Sequence, residues 1–423
     1  MSIHTPSRIA DRESIRGRAN HAAPFWLATI AVLAIPWLIP LDYVFVQPVV
    51  RLVYVATLAA GAVLFFFLPA QTPDRRWVLL FGLLTVVACT FAVTSFGSTG
   101  TVLLVLRVLS GFALFRLVRN PTVVLALVVM FGTASLAVDY VLEDFAYLRL
   151  FDGLRFAPNT EVSLRPRGFV GQAVPAGILA IVASVALAAA HSTQGRGAAR
   201  AVVMIAAGVG ASLLSGTRSA LIVLAALGVL ALGRHLGLGR IAFGRIIAFA
   251  VVGLLAAGTV LTLGRDLPIF ARGPLENSAS LVVRSNALAV LERLPNPCGP
   301  PCTIAGHGFG SLQEILRQGF GFRYINTVDN QFVSMFWDFG IVGLMAIAVL
   351  TLAALRAALR ETDPVRAAGA FGVVGLVLGG MFYDVFWNSH GTLLLGLFIA
   401  MWVAPPREAA SLGPPVARHG STR

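Results

Sequence analysis

The chain has 423 residues, of which 57% are hydrophobic and only 12% are charged, and its formal net charge is +13. The charged share is about half that of an ordinary globular chain, and the mean hydropathy is +0.83. A soluble protein is therefore excluded. All the basic residues are arginines, and most of them lie in short stretches between apolar runs. This distribution indicates membrane topology rather than a surface that binds nucleic acid.

Apolar runs long enough to cross a bilayer recur along the whole chain. A helix of roughly 20 apolar residues spans the hydrocarbon core, and this rule predicts an all-α, polytopic bundle of transmembrane helices with about twelve spans. The spans are predicted near residues 24–40, 44–68, 77–95, 101–118, 121–139, 169–191, 200–215, 217–233, 244–263, 331–355, 366–386 and 389–404. No small-residue cleavage site follows the first run, so we expect an uncleaved anchor.

The arginines of the short loops orient these spans. When the amino-terminal tail, residues 1–23, is placed in the cytoplasm, every short inner loop carries at least two arginines, as the positive-inside rule requires. The carboxy-terminal tail, 405–423, is then cytoplasmic as well. Spans one to nine occupy residues 24–263, with an outer loop at about 140–168, and spans ten to twelve occupy 331–404.

A large loop at 264–330 falls on the outer side and is predicted to be structured. Its sequence favours a helix over 277–294, a glycine-rich turn at 306–310 and a second short helix over 312–317. A structured loop of this size is more often a functional lid than a linker.

The same loop contains Cys298 and Cys302 in the pattern C-G-P-P-C. A local disulfide between them is expected if the loop faces an oxidising compartment. His307, in A-G-H-G-F-G-S, has two interpretations: a ligand, or a histidine that happens to occupy a glycine-rich turn. The second is favoured.

Five arginines are predicted to lie at similar depth on the outer side. Arg51 and Arg107 lie within apolar runs, about six or seven residues or roughly 10 Å below the outer surface at 1.5 Å per residue. Arg218 lies at the outer mouth of its run. Arg165 and Arg167 precede the span at 169–191 on the same side.

Each of these arginines alone has an ordinary interpretation, which is anchoring to lipid headgroups. As a group they favour a ligand, because a charge inside the membrane costs about 2.5–3.5 kcal/mol on insertion scales and usually marks a ligand or a pathway. Planar guanidinium groups suit a phosphate or pyrophosphate. Asp384, in F-Y-D-V-F-W-N-S-H, also has two interpretations: the ion-pair partner of an arginine, or a site residue.

Three local patterns follow one another on the outer side. R-P-R-G-F-V-G-Q-A-V-P-A-G covers Arg165–Gly177, and L-L-S-G-T-R-S-A-L covers Leu213–Leu221. The third begins with V-V-R-S-N-A-L-A-V-L-E-R-L, which contains Arg284, and continues through I-A-G-H-G-F-G to D-N-Q-F-V-S-M-F-W-D-F-G-I-V-G-L at Asp329–Leu344. In this order the patterns resemble those of the O-antigen ligase and polysaccharide polymerase superfamily, over roughly residues 165–355.

The resemblance implies a metal-independent, inverting glycosyltransferase of the membrane-embedded type C, in a bacterial inner membrane with its active site facing the periplasm. Its donor would be a glycan linked to undecaprenyl pyrophosphate, and its acceptor a glycan or glycolipid. Membrane lipids, a flippase and a chain-length regulator are the other expected partners. The chain has no P-loop, no H-E-x-x-H and no dense carboxylate cluster, so no metal and no cofactor are expected.

The resemblance further implies that Arg165 and Arg218 bind the pyrophosphate leaving group, which agrees with the charge argument. Asp329 has two interpretations: a base that accepts the proton of the acceptor hydroxyl, or the cap of the following helix, beside Asn330. The candidate catalytic residues are Asp329, Arg165 and Arg218. The candidate substrate-binding residues are Arg167, Arg284, Asn330, Arg51, Arg107 and Asp384.

Two features favour a polymerase over a ligase. Ligases of this superfamily commonly carry histidine where this chain has Asp329, and the asparagine expected after Gly171 is absent. An O-antigen ligase is the alternative. A transporter or lipid flippase is the competing class, although we find no evident repeat between the two halves of the chain.

Overall fold

The structure is a computed structural model that describes residues 34–39, 48–67, 98–118, 121–142, 168–170, 172–192, 198–236, 294, 299–308, 310–317, 330–385 and 388–404. These residues form helices and turns, and no strand occurs among them. The helices are α1 (Pro48–Phe67), α2 (Ser98–Leu117), α3 (Pro121–Val141), α4 (Ala173–Ser192), α5 (Ala198–Leu214), α6 (Arg218–His235), α7 (Pro300–Ala305), α8 (Ser311–Arg317), α9 (Gln331–Arg360), α10 (Pro364–Gly379) and α11 (Ser389–Val403).

Within the described ranges, five helices are long and apolar enough to cross a membrane: α1, α3, α4, α6 and α9. In α2, α5, α10 and α11 the apolar stretch is shorter, and in α2 it is Val102–Phe115. The predicted all-helical membrane fold is therefore confirmed in this coarse form. The number of twelve spans stays a prediction, because the spans at 77–95 and 244–263 lie outside the described residues and only 34–38 of the first are described as helical.

Two predicted spans differ from the observed helices. The span at 366–386 is α10, which begins two residues earlier behind the cap Asp363 and ends at Gly379. Hydropathy extended it too far because the aromatic residues that follow are apolar, although the adjacent glycines Gly379 and Gly380 favour a helix end. The span at 169–191 begins only at Ala173, because Gly168–Val170 forms a separate 3-10 turn.

The centre of the bundle is α4, which is almost entirely buried. It packs against α3, α5, α6 and α10, while α11 packs between α10 and α2. Glycines allow the α2–α11 crossing to be close: a Cβ atom at Gly111 would collide with the carbonyl oxygen of Leu393, and one at Gly396 with that of Val108. Small residues at such crossings are typical of helices that pack within membranes.

Helix α9 is kinked at Gly340, which has a φ of 63° and a ψ of −160°. The predicted span at 331–355 anticipated its start but neither this kink nor its end at Arg360. The stretch after the kink, 341–360, has about the 20 residues that a membrane span needs. The stretch before it, 331–339, is therefore available to carry polar side chains.

Candidate functional site

The described parts of the three sequence patterns include residues that lie at one end of the bundle. Thr217, directly before Arg218, donates a hydrogen bond from Oγ1 to the backbone oxygen of Ala173 over 3.0 Å, which joins the second pattern to the first. Gln172 of the first pattern accepts a hydrogen bond from the hydroxyl of Tyr383.

The third pattern joins the same end through the turn that follows α10. The backbone N–H of Gln331 donates to the carbonyl of Gly380 over 2.8 Å, three residues before Tyr383. We call this region the motif end. Its described members are residues 168–170, 172–173, 215–218, 330–338, 380–385 and 388–390.

Arg218 is the first residue of α6 and is partly exposed. The preceding Thr217 makes no side-chain cap, because its hydroxyl is used on Ala173, and the first turn of α6 has no acidic residue. The N–H groups at the start of a helix favour an anion. Arg218 and the start of α6 therefore both favour an anion.

Arg107 is buried within the bundle, with 2% of its surface exposed. Its Nε donates to the hydroxyl of Tyr54 over 2.9 Å, and its guanidinium lies 5.6 Å from the centre of that ring. It also interacts electrostatically with His390. The side chain of Arg51, one turn before Tyr54 on α1, is exposed. The two arginines, which the sequence predicts to lie at similar depth, therefore differ in burial: Arg107 lies inside the bundle and Arg51 on its surface.

His390, at the start of α11, contacts two earlier segments of the chain, at Trp37 and at Phe169. Its Nε2 lies 2.8 Å from the backbone oxygen of Trp37, and because a carbonyl can only accept, Nε2 carries a proton. The ring of Phe169, in the first pattern, meets the His390 ring edge-on at 5.1 Å. This places the first pattern against the start of α11.

Asn330 is the cap of α9: its Oδ1 accepts from the N–H groups of Phe332 and Val333 at 2.9 and 3.3 Å. The sequence left open whether Asp329 caps this helix, and in the structure the capping residue is Asn330. Asp384 is buried in the turn after α10 rather than at the end of that helix. It interacts electrostatically with Asp338, which is a like charge when both are ionised.

A buried carboxylate that was not among the predicted site residues, Asp139, holds the first pattern in place. Asp139 accepts a hydrogen bond from the N–H of Gly168 over 2.8 Å, and the hydroxyl of Ser135 accepts one from the N–H of Phe169 over 3.2 Å. Gly168 has a φ of 54°, and a Cβ atom there would collide with Ser135. The signal in the sequence was a lone carboxylate at the end of an apolar run.

A second carboxylate that the sequence analysis missed, Asp338, binds part of the loop at 264–330 that was predicted to face outward. Its Oδ2 accepts from the N–H of Gly310 over 2.7 Å, and its Oδ1 accepts from the hydroxyl of Ser311 over 2.9 Å and the N–H of Leu312 over 3.1 Å. We call residues 299–317, apart from 309, the docked segment. Asp338 is the lone acidic residue of an apolar run, which was the available signal.

The docked segment also contacts the backbone of α9 at the kink. The N–H groups of His307 and Gly308 donate to the carbonyls of Trp337 and Asp338 over 3.0 and 2.8 Å. The His307 ring stacks on Trp337 with 4.0 Å between centroids, and its Nδ1 donates to the Trp337 carbonyl. Within this geometry His307 is part of the packed turn, as the favoured interpretation expected.

The remaining predicted residues have mixed outcomes. Cys302 forms a disulfide bond, while its predicted partner Cys298 lies outside the described residues, so this pairing stays a prediction. The other predicted site residues that lie outside the described residues are Asp329, Arg165, Arg167 and Arg284. Among the described residues, no group of three or more His, Cys, Asp or Glu side chains is arranged to hold a metal ion.

Several polar atoms at the motif end are buried without hydrogen-bond partners. In the described part of the chain these include Gln331 Oε1, Ser334 Oγ and Asn388 Nδ2. Buried polar groups are normally paired, so such exceptions point to functional or conformational demands.

The chain as a whole matches no protein-family model and no curated protein sequence.

Proposed function

We propose that the protein is a membrane-embedded glycosyltransferase of type C that polymerises oligosaccharide units carried on undecaprenyl pyrophosphate. One observation carries this proposal: described parts of the three patterns that resemble the superfamily, although far apart in sequence, lie at one end of the bundle, and the third is joined to the first through the turn that follows α10. The hydrogen bonds Thr217–Ala173, Tyr383–Gln172 and Gln331–Gly380 join them.

In the proposed reaction the acceptor hydroxyl attacks the anomeric carbon of the donor sugar. The bond from that carbon to the pyrophosphate oxygen breaks, and the lipid pyrophosphate leaves as an anion. Arg165 and Arg218 would stabilise the departing charge, since fixed cationic donors stabilise charge that develops in a transition state. The proton of the acceptor would pass to the carboxylate of Asp329.

The start of α6 supports the role given to Arg218. Its N–H groups are not capped by Thr217, and its first turn holds no acidic residue. A phosphate oxygen at this position would meet both a guanidinium group and the positive end of a helix dipole. Arg107 is buried against Tyr54 and is better suited to shaping the site than to binding a large headgroup.

The proposed location is the inner membrane, with the motif end facing the periplasm, where lipid-linked oligosaccharides and the acceptor would meet. A flippase would supply the donor, and a chain-length regulator would limit the product. An O-antigen ligase is the second candidate, because the same patterns resemble both branches of the superfamily. Asp329 favours the polymerase.

Reconstitution tests the proposal directly. The full-length protein is placed in vesicles that contain undecaprenyl pyrophosphate linked to a short oligosaccharide, and products are separated by length. We expect longer glycans on the lipid carrier, release of free undecaprenyl pyrophosphate, and no loss of rate with EDTA. Movement of the lipid across the bilayer without a new glycosidic bond would instead identify a transporter. Transfer only to added lipid A core would identify a ligase.

A further inference from the structure

The turn that joins α5 to α6 is held together by hydroxyl groups. Ser212 Oγ donates to the carbonyl of Thr217 over 3.0 Å, and the N–H of Thr217 donates back to the carbonyl of Ser212 over 3.0 Å. Ser215 Oγ donates to Thr217 Oγ1 over 2.8 Å. All three side chains are buried. Several hydrogen bonds therefore fix the backbone directly before Arg218.

The hydroxyl of Thr217 is not used for the bond that this position usually makes. A threonine directly before a helix commonly caps it by accepting a hydrogen bond from an N–H group of the first turn. Asn330, Asp363 and Asn388 cap α9, α10 and α11 in this way. Thr217 makes no such cap and donates instead to the carbonyl of Ala173, at the start of α4. Its side chain therefore joins two helices and does not stabilise the start of its own.

Gly177, one turn after Ala173 on α4, makes room for this turn. A Cβ atom at Gly177 would lie 2.6 Å from Ser215 Oγ and 2.8 Å from Thr217 Cβ, so that one of the partners would have to move. The start of α6 is thus fixed against the start of α4 in two ways. Ala173 accepts a hydrogen bond, and Gly177 allows close packing.

We propose that Thr217 is a positioning residue for Arg218, which directly follows it. The bond to Ala173 fixes the first residue of α6 beside the first pattern, where Gln172 accepts the hydrogen bond from Tyr383. Groups that stabilise developing charge act best when they are held in place before the reaction, and a displacement of about 1 Å can cost about 100-fold in rate. This inference rests on the proposed function, in which Arg218 stabilises the departing pyrophosphate.

A double-mutant cycle in the full-length protein in vesicles tests this dependence. Thr217→Val keeps the branched shape and removes the hydroxyl, and we expect kcat/KM to fall about tenfold. In a chain that already carries Arg218→Gln, the same change should lower kcat/KM by no more than about a further twofold, because the guanidinium that Thr217 positions is absent. A purely structural role of Thr217 would give the same factor with and without the arginine.

Two further variants separate the hydroxyl from the shape of the side chain. Thr217→Ser keeps the hydroxyl, and we expect its kcat/KM to stay within about twofold of the wild type. The matched control is Thr133→Val. Thr133 Oγ1 also lies near a carbonyl of another helix, that of Ala207 on α5 at 3.3 Å, but Thr133 is not a member of the motif end. We expect Thr133→Val to change kcat/KM by no more than about twofold.

If Thr217→Val does not fold, Gly177→Ala disturbs the same contact from α4. We expect it to lower kcat/KM about threefold or more with Arg218 in place, and by no more than about twofold in the chain that carries Arg218→Gln. Its control is Gly228→Ala on α6, where a Cβ atom would meet nothing within 4 Å. That variant should keep the activity of the wild type.

The inference and the proposed function fail in different ways. Unchanged kcat/KM in Thr217→Val, equal losses with and without Arg218, or an equal loss in Thr217→Ser or Thr133→Val would overturn the inference and leave the proposed function standing. A wild-type protein that forms no glycosidic bond, or full activity in Arg218→Gln, would refute the proposed reaction or the role of Arg218 in it, and the inference with it.

Discussion

At the end opposite the motif end, charged side chains are bound to one another and to backbone carbonyls, whereas the motif end buries several uncharged polar atoms that have no hydrogen-bond partner. At the opposite end, Arg366 Nη2 lies 2.9 Å from Glu361 Oε2, and Arg366 Nε donates to the carbonyl of Trp402 over 3.3 Å. Arg234 Nη2 donates to the Glu361 carbonyl over 2.8 Å, while its Nη1 is buried without a hydrogen-bond partner. These contacts connect α6, α9, α10 and α11.

The motif end has a different balance of groups. Gln331, Ser334 and Asn388 each bury a polar atom without a hydrogen-bond partner, and Asp338 and Asp384 interact electrostatically as a pair of carboxylates. Buried polar atoms are normally hydrogen-bonded, so the atoms of Gln331, Ser334 and Asn388 are exceptions. The opposite end thus joins helices through an ion pair and contacts to carbonyls, with one arginine nitrogen left over, whereas the motif end buries several uncharged polar atoms without partners, as functional sites often do.

Cysteine labelling tests which of the two ends faces outward, and the comparison of the two ends depends on that orientation. Glu314 is exposed in the docked segment, so Glu314→Cys should react with an impermeant maleimide added outside the cell and not with reagent confined to the cytoplasm. Ala199→Cys, exposed at the start of α5, should show the reverse. The parent chain, with its native cysteines, gives the background. Labelling of position 314 only from the cytoplasm would reverse the two ends.

Asp329→Asn should abolish polymerisation if Asp329 is the base. The cap of α9 is provided by Asn330, so this change removes a proton acceptor without disturbing the cap. Cells should accumulate single repeat units on the lipid carrier or on its final acceptor, visible as a loss of long chains on gels. Asp363→Asn at the opposite end should leave chain lengths normal.

A different result for Asp329→Asn would redirect the proposal. Normal chain lengths would remove Asp329 from the mechanism. Long chains that accumulate on the carrier would show a defect in transfer to the final acceptor, which makes a ligase the better description.

Arg218→Lys and Arg234→Lys compare the two ends of one helix with one substitution. Lysine keeps the charge but loses the forked hydrogen bonding that pyrophosphate favours, so Arg218→Lys should lower kcat/KM about tenfold or more. Arg165→Lys should behave in the same way. Arg234 binds a backbone carbonyl at the opposite end, and Arg234→Lys should change kcat/KM by no more than about twofold. Equal losses at both positions would contradict the assignment of the site.

The helices were predictable because their signals are local. The run at 121–139 corresponds to Pro121–Val141, and the start at residue 331 coincides with that of α9, which has an Asn cap directly before it. Apolar length and capping residues can both be read within one turn or two of the chain. The arginine at the start of α6 was located in the same way.

The roles of Asp338 and Asp139 could not be predicted. Asp338 binds residues 26 to 28 positions earlier in the chain, and Asp139 binds Gly168, 29 positions later. Apart from the hydroxyl of Ser311, their partners are backbone N–H groups, which every residue other than proline has, so the sequence carries no complementary pattern. The kink at Gly340 depends equally on a contact with the docked segment.

Glu361→Gln should reduce stability and leave activity unchanged. The change removes the charge that pairs with Arg366, whose side chain is 9% exposed, and a hydrogen bond between charged groups contributes about 1.5–3 kcal/mol. We expect a loss of about 1.5 kcal/mol in equilibrium unfolding in mixed micelles, since glutamine keeps one acceptor. Glu314→Gln, at an exposed position, should have no measurable effect. A large loss of kcat in Glu361→Gln would mean that the opposite end also contributes to the reaction.

Arg51→Lys should have the smallest effect and gives the finest test of the comparison. The sequence placed Arg51 with Arg107 and Arg218 on the outer side, but the side chain of Arg51 is exposed on α1 while Arg107 is buried against Tyr54. An exposed arginine that anchors to headgroups is replaceable by lysine, because both side chains reach outward with a charge. We therefore expect kcat/KM of Arg51→Lys to stay within about twofold of the wild type. Arg107→Lys, measured beside it, should lose more of its kcat/KM, because a buried lysine cannot reproduce the hydrogen bond from Nε to Tyr54. A loss in Arg51→Lys as large as that in Arg218→Lys would place Arg51 at the pyrophosphate and extend the site to the outer surface of α1.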